Sequence, residues 1–202
     1  MSEALDREAL LDAFDSIGRA AADAGTKLQI AVYGGSALML ASNFRFATED
    51  VDVSKLEHPL PDWLARITAG IAVRNGWDAD WFNDQVVVFH LSPLADRAAD
   101  HLEFGTFPRG GTSPGLEVSV PSAAYLLALK MKAFRITDPV RGETERLDIL
   151  NLMKVVGISI GEEAVALLGR YFPVSAASSE KQRFLLKNMD LGGGADAPKY
   201  PR

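Results

Sequence analysis

Two acidic residues separated by one apolar residue are the feature of this sequence best suited to chemistry. Asp50 and Asp52 lie in the segment 48–53, where acidic and apolar residues alternate as in a strand. Strand side chains alternate between two faces, so both carboxylates would share one face while Val51 and Val53 enter the core. Neighbouring carboxylates repel each other and favour a cation, and Mg²⁺ prefers such oxygen ligands together with substrate phosphates. The alternative is a solvated edge strand with spaced acids.

A glycine pair lies upstream of these acids. Gly34 and Gly35 follow an apolar, β-branched run at 28–33 and precede a helical composition that begins at Ser36. Because glycine has no side chain, its backbone N–H groups at a helix start can approach a phosphate closely. Ser36 would either cap the helix or offer its hydroxyl to the phosphate. The alternative is a tight turn followed by an ordinary N-cap.

The elements that must position these residues follow from hydrophobic periodicity and from glycine and proline punctuation. Helices are predicted at 4–24, from 36, from Pro61 to near Gly76, and at 125–135, 143–156, 162–171 and 180–189; strands are predicted at 28–33, 48–53, 85–91, 101–104 (more weakly) and 116–120. This order predicts an α+β (mixed α/β) fold: a small mixed β-sheet with helices, followed by a helical C-terminal half. The predicted domains are an α/β core at 1–121 and a helical region at 122–190 packed on it, with a flexible tail at 191–202.

Composition narrows the class of protein. The 202 residues carry a net charge of −6, which argues against general coating of nucleic acid but not against a local basic patch. The absence of cysteine excludes disulfides and thiolate metal sites. We find no signal-peptide pattern and no apolar run of the roughly 18 residues that span a bilayer. A cytoplasmic protein without membrane contact is therefore expected.

Two sequence segments together resemble a known family. Tyr-Gly-Gly-Ser-Ala at 33–37, followed by Arg-Phe-Ala-Thr-Glu-Asp-Val-Asp-Val at 45–53, resembles the nucleotidyltransferase domains of the DNA polymerase beta superfamily. Within that superfamily, the two segments are most similar in sequence to AbiEii-like toxins and to the bacterial relatives of those toxins. AbiEii-like toxins belong to abortive-infection, type IV toxin–antitoxin systems. Trp-Phe-Asn-Asp at 81–84 and the helical segment 126–152 resemble further motifs of those relatives. The resemblance covers residues 28–157, and its first segment is the specific one.

The resemblance implies a set of site residues. Asp50 and Asp52 would be catalytic metal ligands for Mg²⁺ or Mn²⁺, and the nucleotide would be held by Gly34, Gly35, Ser36, Arg45 and Lys130. In the helical segment 126–152, the relatives have a Leu-x-x-x-Lys pattern followed by Asp-x-x-Asp. Asp148 matches the second aspartate of that motif, whereas Glu145 stands where the relatives have the first. Active members usually supply a third carboxylate from a neighbouring strand, for which Glu103 is the candidate and Glu117 the alternative.

Alternatives stay open for the basic residues and for Asp84. Arg45 would pair with the acidic strand or meet the nucleotide. Lys130, Lys132 and Arg135 also fit a solvated helix face with extended side-chain stems. Asp84 is interpreted as a loop cap or a contact to the site.

Two functions are expected from different classes. The first is metal-dependent transfer of a nucleoside monophosphate from an NTP to an acceptor hydroxyl on an RNA, protein or small molecule, with a cognate antitoxin as a further partner. The second is a catalytically inactive nucleotidyltransferase fold that binds a protein partner or senses a nucleotide. The uncertain third carboxylate motivates the second hypothesis.

Overall fold

The computed structural model describes residues 5–48, 50–55, 61–84, 91–111, 113–134, 141–177, 180, 183, 186 and 197–202. These residues form an α+β fold, as predicted, whose strands are β1 (Leu5–Asp6), β2 (Leu28–Val32), β3 (Ala47–Thr48), β4 (Val51–Lys55), β5 (Phe82–Asn83), β6 (His101–Phe107) and β7 (Leu116–Pro121). The helices are α1 (Arg7–Asp23), α2 (Gly34–Ala41), α3 (Asp62–Asn75), α4 (Ala123–Ala133), α5 (Arg141–Val156), α6 (Gly161–Tyr171) and α7 (Pro173–Ala177). No helix in this part of the chain is long and apolar enough to cross a membrane.

The main sheet is mixed, as predicted. Its strand order is β5-β4-β2-β7-β6, while β1 and β3 form a separate two-stranded antiparallel pair. The central strand β2 is antiparallel to β4 and parallel to β7. The two outer strands differ, since β5 runs parallel to β4 and β6 runs antiparallel to β7. The acidic strand β4 therefore lies between the strand that ends at the glycine pair and the short strand β5.

Most predicted elements are confirmed within a few residues, and β6 extends further than its predicted strand. The acidic segment is the main correction, because the strand predicted over 48–53 is divided: β3 ends at Thr48 and β4 starts at Val51, with Asp50 before it. The two parts pair with different strands, β3 with β1 and β4 with β2. Residues 85–90 of one predicted strand, and all but 180, 183 and 186 of the last helix, lie outside the described residues.

The chain divides into two compact units. The first comprises residues 1–41, 45–89 and 101–121, and the second comprises 42–44, 90–100 and 122–202. The short segments 42–44 and 90–100 thus belong with the helical unit, although they precede the domain boundary predicted at residue 121.

In the first unit, α1 packs against β6 and β7 at very short range. A Cβ on Gly18 would collide with the backbone of Phe107, and a Cβ on Gly115 would collide with the carbonyl of Gly18. Next to this contact, the Arg109 guanidinium binds Asp15 through Nε at 2.9 Å and also contacts Asp12. Glycine is therefore required where helix and hairpin backbones meet, and an ion-pair network holds the adjacent turn.

In the second unit, α4 packs against α5 and α6, and α6 packs against α7. A buried polar cluster links this helical core to the segment that precedes β6: the Tyr171 hydroxyl donates to Asp100 at 2.6 Å, and the Tyr125 hydroxyl accepts from the Ser92 N–H at 2.9 Å. The two tyrosine rings lie 4.9 Å apart. Each hydroxyl is thus hydrogen-bonded, as burial requires.

The end of the chain differs from the predicted flexible tail. Residues 191–196 lie outside the described residues, but 197–202 are described. The Lys199 N–H donates to the Asn43 side chain at 2.7 Å, and Tyr200 is only 8% exposed. Burial raises the pKa of the Tyr200 hydroxyl. The glycines and proline of the segment predict flexibility. Composition alone does not report that the Tyr200 ring is buried.

Candidate functional site

The glycine turn and the acidic strand pack directly against each other. The Tyr33 N–H donates to the Asp52 carbonyl at 2.8 Å, which extends the pairing of β2 with β4 by one residue. Gly34 then opens α2 with φ +67°, and a Cβ built on it would lie 3.0 Å from Asp52 Oδ2. Both the left-handed backbone and this contact favour glycine. The structure thus brings together Gly34 and Asp52, two residues that the sequence singled out.

Two hydroxyl groups hold the Asp50 backbone. Ser36 Oγ donates to the Asp50 carbonyl at 2.8 Å, and Thr48 Oγ1 donates to the same oxygen at 3.2 Å. Ser36 is 1% exposed and is the third residue of α2, so it is not the N-cap of that helix. The expectation that its hydroxyl caps the helix is therefore wrong. Its hydroxyl instead fixes the residue that precedes β4.

Gly35 lies against a second pair of side chains. A Cβ on Gly35 would lie 2.9 Å from Thr48 Oγ1 and 3.3 Å from Arg45 Nη2. The Arg45 Nε donates to the Ala47 carbonyl at 3.0 Å, which folds the arginine back along its own loop. The structure therefore places a guanidinium group beside the glycine pair at the start of α2.

Burial alternates along the start of β4, and Asp50 lies just before that strand. Val51 and Val53 are fully buried, at 0% exposure, whereas Asp52 between them is partly exposed and Asp50 is exposed. Solvent-accessible carboxylates next to a buried apolar strand are a donor set that suits a hard divalent cation. Asp50 and Asp52 therefore offer two of the oxygen donors that a magnesium or manganese site would use.

Asn83 is a neighbour of Asp52 that the sequence pattern did not single out. On β5 it is the register partner of Asp52 on the parallel strand β4, so the two side chains project to the same face of the sheet. The neighbouring Trp81 positions β5, because its carbonyl accepts from the Val51 N–H at 2.6 Å and its indole N–H donates to Thr68 at 3.0 Å. The signal was available in the Trp-Phe-Asn-Asp segment, but a motif alone does not give a strand register.

Tyr33 links the glycine turn to the outer part of the sheet. Its hydroxyl lies 2.8 Å from His101 Nε2 on β6 and 3.4 Å from Ser54 Oγ on β4. The Tyr33 and His101 rings meet edge to face with centroids 5.8 Å apart. This contact ties the residue before Gly34 to both sides of the sheet.

The two candidates for a third carboxylate lie away from Asp52. Glu103 is on β6, which is separated from β4 by β2 and β7, a spacing of about 14 Å at ~4.8 Å per strand. Glu117 pairs with Gln29 near the start of β2, at the opposite end from the glycine turn, and hydrogen bonds from Lys27 and Gln29 lower its pKa. Across the described ranges, no group of three His, Cys, Asp or Glu residues is placed to hold a metal.

Lys130 lies in the second unit, where it is paired with a carboxylate. Its Nζ lies 2.8 Å from Asp148 Oδ2, and the two side chains are only 14% and 4% exposed. The solvated-face alternative is therefore wrong for Lys130. For Lys132, burial lowers the pKa, and its ammonium lies 4.3 Å from the centroid of the Phe172 ring. Arg135 lies outside the described residues.

Comparison with known proteins adds no identification. No protein-family model, curated protein or solved structure matches this chain. The functional interpretation therefore depends on the fold and on the geometry that joins Gly34, Gly35, Arg45, Asp50 and Asp52.

Proposed function

We propose that this chain is a metal-dependent nucleotidyltransferase that moves a nucleoside monophosphate from an NTP to an acceptor hydroxyl. The observation that carries the proposal is the contact between the Gly34 turn and the Asp52 carboxylate. In such an enzyme the phosphates must approach both a bare backbone and a metal-binding carboxylate. A glycine pair at the start of a helix, facing an accessible acidic strand, supplies both within one small region.

In this proposal the side chains of the site have distinct roles. Asp50 and Asp52 would hold Mg²⁺ or Mn²⁺, which when bound supplies positive charge to the reacting phosphates. Arg45 and the backbone N–H groups of the glycine pair bind phosphate oxygens, because they combine a planar cation with the positive end of α2. The acceptor oxygen forms a bond to the α-phosphorus, the α–β bridging bond breaks, pyrophosphate leaves and the acceptor proton passes to solvent or a base.

A second function is favoured by one observation, the distance of Glu103 and Glu117 from Asp52 in the sheet. Without a third carboxylate, a nucleotidyltransferase fold would bind a nucleotide or a protein partner without turnover. A cognate antitoxin is the partner class expected under this alternative, as it is for an active toxin. Binding and turnover must therefore be measured separately.

The binding test is titration of each of the four NTPs, with and without Mg²⁺, into the wild type and into Asp50→Asn/Asp52→Asn. We expect metal-dependent binding to the wild type and a loss of at least tenfold in the double variant. Glu103→Gln is the matched control, because it also removes one carboxylate from a strand of the same sheet, and it should bind as the wild type does. Unchanged binding in the double variant would contradict the proposal.

Turnover is then followed as pyrophosphate release and as transfer of label from α-labelled NTP to RNA, protein or small-molecule hydroxyls. If the wild type transfers label and the Asp50→Asn/Asp52→Asn variant does not, the result supports the nucleotidyltransferase proposal. The labelled product then identifies the acceptor class. Metal-dependent NTP binding without label transfer to any of the three classes supports the nucleotide-sensing alternative.

A further inference from the structure

An exposed aromatic residue, Phe46, lies in the sequence between Arg45 and Thr48, whose side chains both reach Gly35. Phe46 is 71% exposed, and among the large hydrophobic side chains exposed in the described part of the chain it is the only aromatic one. The others are aliphatic: Val73, Leu94, Leu147, Ile160 and Val174. A planar ring left open to solvent offers a stacking surface that an aliphatic side chain does not.

The position of Phe46 relates it to the phosphate-binding part of the site. It directly follows Arg45, whose Nη2 is 3.3 Å from the Cβ position at Gly35, and consecutive Cα atoms are only about 3.8 Å apart. Phe46 also stands immediately before β3 and two residues before Thr48, whose Oγ1 is 2.9 Å from the same Cβ position.

A nucleoside triphosphate joins a phosphate chain to a flat base through one ribose. If the phosphates bind at Gly34, Gly35 and Arg45, the base must lie against some neighbouring surface. Two phenylalanines flank that arginine in the sequence, and Phe46 is the more exposed of the two. Stacking between a base and an aromatic side chain is tolerant of base identity, because every base has a flat π-face.

We propose that Phe46 is the nucleobase platform of the site, on which the base of the donor NTP stacks. The inference rests on the proposed function, since it assumes that triphosphate binds at the glycine turn. It adds a ligand subsite that accepts any of the four bases, so that the NTP would be selected mainly by its triphosphate.

The test compares ATP with inorganic tripolyphosphate, both with Mg²⁺, by titration calorimetry on the full chain. In Phe46→Ala we expect ATP to bind about tenfold to a hundredfold more weakly, the range that base–aromatic stacking contributes. Tripolyphosphate, which has no base, should bind Phe46→Ala as it binds the wild type. Phe46→Trp should keep the ATP affinity, because the larger ring also stacks.

Val73→Ala is the matched control, because Val73 is an exposed apolar residue on α3, at 85% exposure, and its loss should leave both affinities unchanged. Equal ATP affinity in the wild type and Phe46→Ala would overturn the platform while leaving the triphosphate site intact. An equal loss of both ligands in Phe46→Ala would also overturn it, because the residue would then support the site as a whole. If neither ligand binds the wild type, the proposed function fails together with the platform.

Discussion

The hydroxyl of Ser36 donates a 2.8 Å hydrogen bond to the backbone carbonyl of Asp50. This bond joins the first turn of α2 to the residue that precedes the acidic strand β4. Thr48, the last residue of β3, donates to the same carbonyl oxygen at 3.2 Å. One backbone oxygen thus accepts hydrogen bonds from two side-chain hydroxyls, and the position of Asp50 is set by one residue of α2 and one residue of β3.

This double contact predicts strongly non-additive substitutions. Ser36→Ala or Thr48→Val alone leaves the Asp50 carbonyl with one hydroxyl donor, so each should lower the free energy of unfolding by about 1 kcal/mol or less. The double variant removes both donors and should cost more than the sum, by at least ~0.5 kcal/mol. Urea unfolding of the four proteins completes the double-mutant cycle.

The same cycle has a functional readout. Mn²⁺ affinity should fall in the double variant and be retained in Thr48→Ser, which keeps the hydroxyl. Strictly additive unfolding energies together with an unchanged Mn²⁺ affinity would show that the two hydroxyls do not position Asp50.

Gly34→Ala separates a backbone effect from a site effect. Gly25 and Gly34 have nearly the same left-handed φ, +64° and +67°, but a Cβ on Gly25 would meet no atom within 4 Å. Alanine at either position should cost about 1–2 kcal/mol of stability, because left-handed backbone disfavours a side chain. Only alanine at Gly34 would press on the Asp52 carboxylate.

We therefore expect Mg²⁺-dependent NTP binding to be lost in Gly34→Ala and kept in Gly25→Ala. Calorimetric titration of both variants at a temperature where each is folded makes the comparison. If Gly34→Ala bound NTP normally, the contact between Gly34 and Asp52 would have no part in the site.

The buried pair of Lys130 and Asp148 predicts that replacing Asp148 alone greatly lowers the free energy of unfolding. Replacing both residues together should restore most of it. Asp148→Leu leaves the Lys130 ammonium buried without its counter-charge and should cost about 3–5 kcal/mol. Lys130→Met/Asp148→Leu removes both charges at similar volume and should recover most of that loss. Urea unfolding checks both variants. A double variant as unstable as Asp148→Leu would show that the pair is needed for more than charge balance.

Tyr171 predicts a change in stability at high pH. Burial, and the hydrogen bond to Asp100, raise its pKa to about 12, above the value near 10 of an unfolded tyrosine. Because the folded pKa is the higher one, this stabilisation is fully present below about pH 10 and is lost as pH rises toward 12.

Tyr171→Phe isolates that contribution. At pH 7 it should lower the unfolding free energy by about 1.5–3 kcal/mol, as expected for loss of a hydrogen bond to a charged group. The difference from the wild type should then shrink between pH 10 and 12. Comparing the two proteins at each pH cancels the titration of the other tyrosines. A difference that stays constant up to pH 12 would show that the Tyr171 pKa is not raised.

The sequence predicted the elements of the site better than their contacts. Glycine, proline and hydrophobic periodicity report local backbone conformation, so β2, α2 and the Gly76 end of α3 were predicted correctly from nearby residues. The register that places Asn83 beside Asp52 depends on Trp81, whose indole binds Thr68 on α3. That partner lies 13 residues away along the chain, and no local pattern reports it.

The third carboxylate shows the same limit. Glu103 and Glu117 both occupy strands, as predicted, but the strand order places β2 and β7 between β4 and the strand of Glu103. A strand-like sequence pattern indicates which face a residue takes and not which strand becomes its neighbour. Lys130 was similarly ambiguous, because its buried partner Asp148 lies one helix further along the chain.

The pairing of β1 with β3 has a practical consequence for experiments on this protein. Leu5 is the register partner of Thr48, the residue whose hydroxyl reaches the Asp50 carbonyl. An affinity tag or fusion partner joined directly ahead of β1 would therefore lie next to the β1–β3 pair that supports the candidate site, and it would disturb that pairing. Tags for binding assays should be separated from Leu5 by a flexible, cleavable linker, and the cleaved protein should serve as the reference.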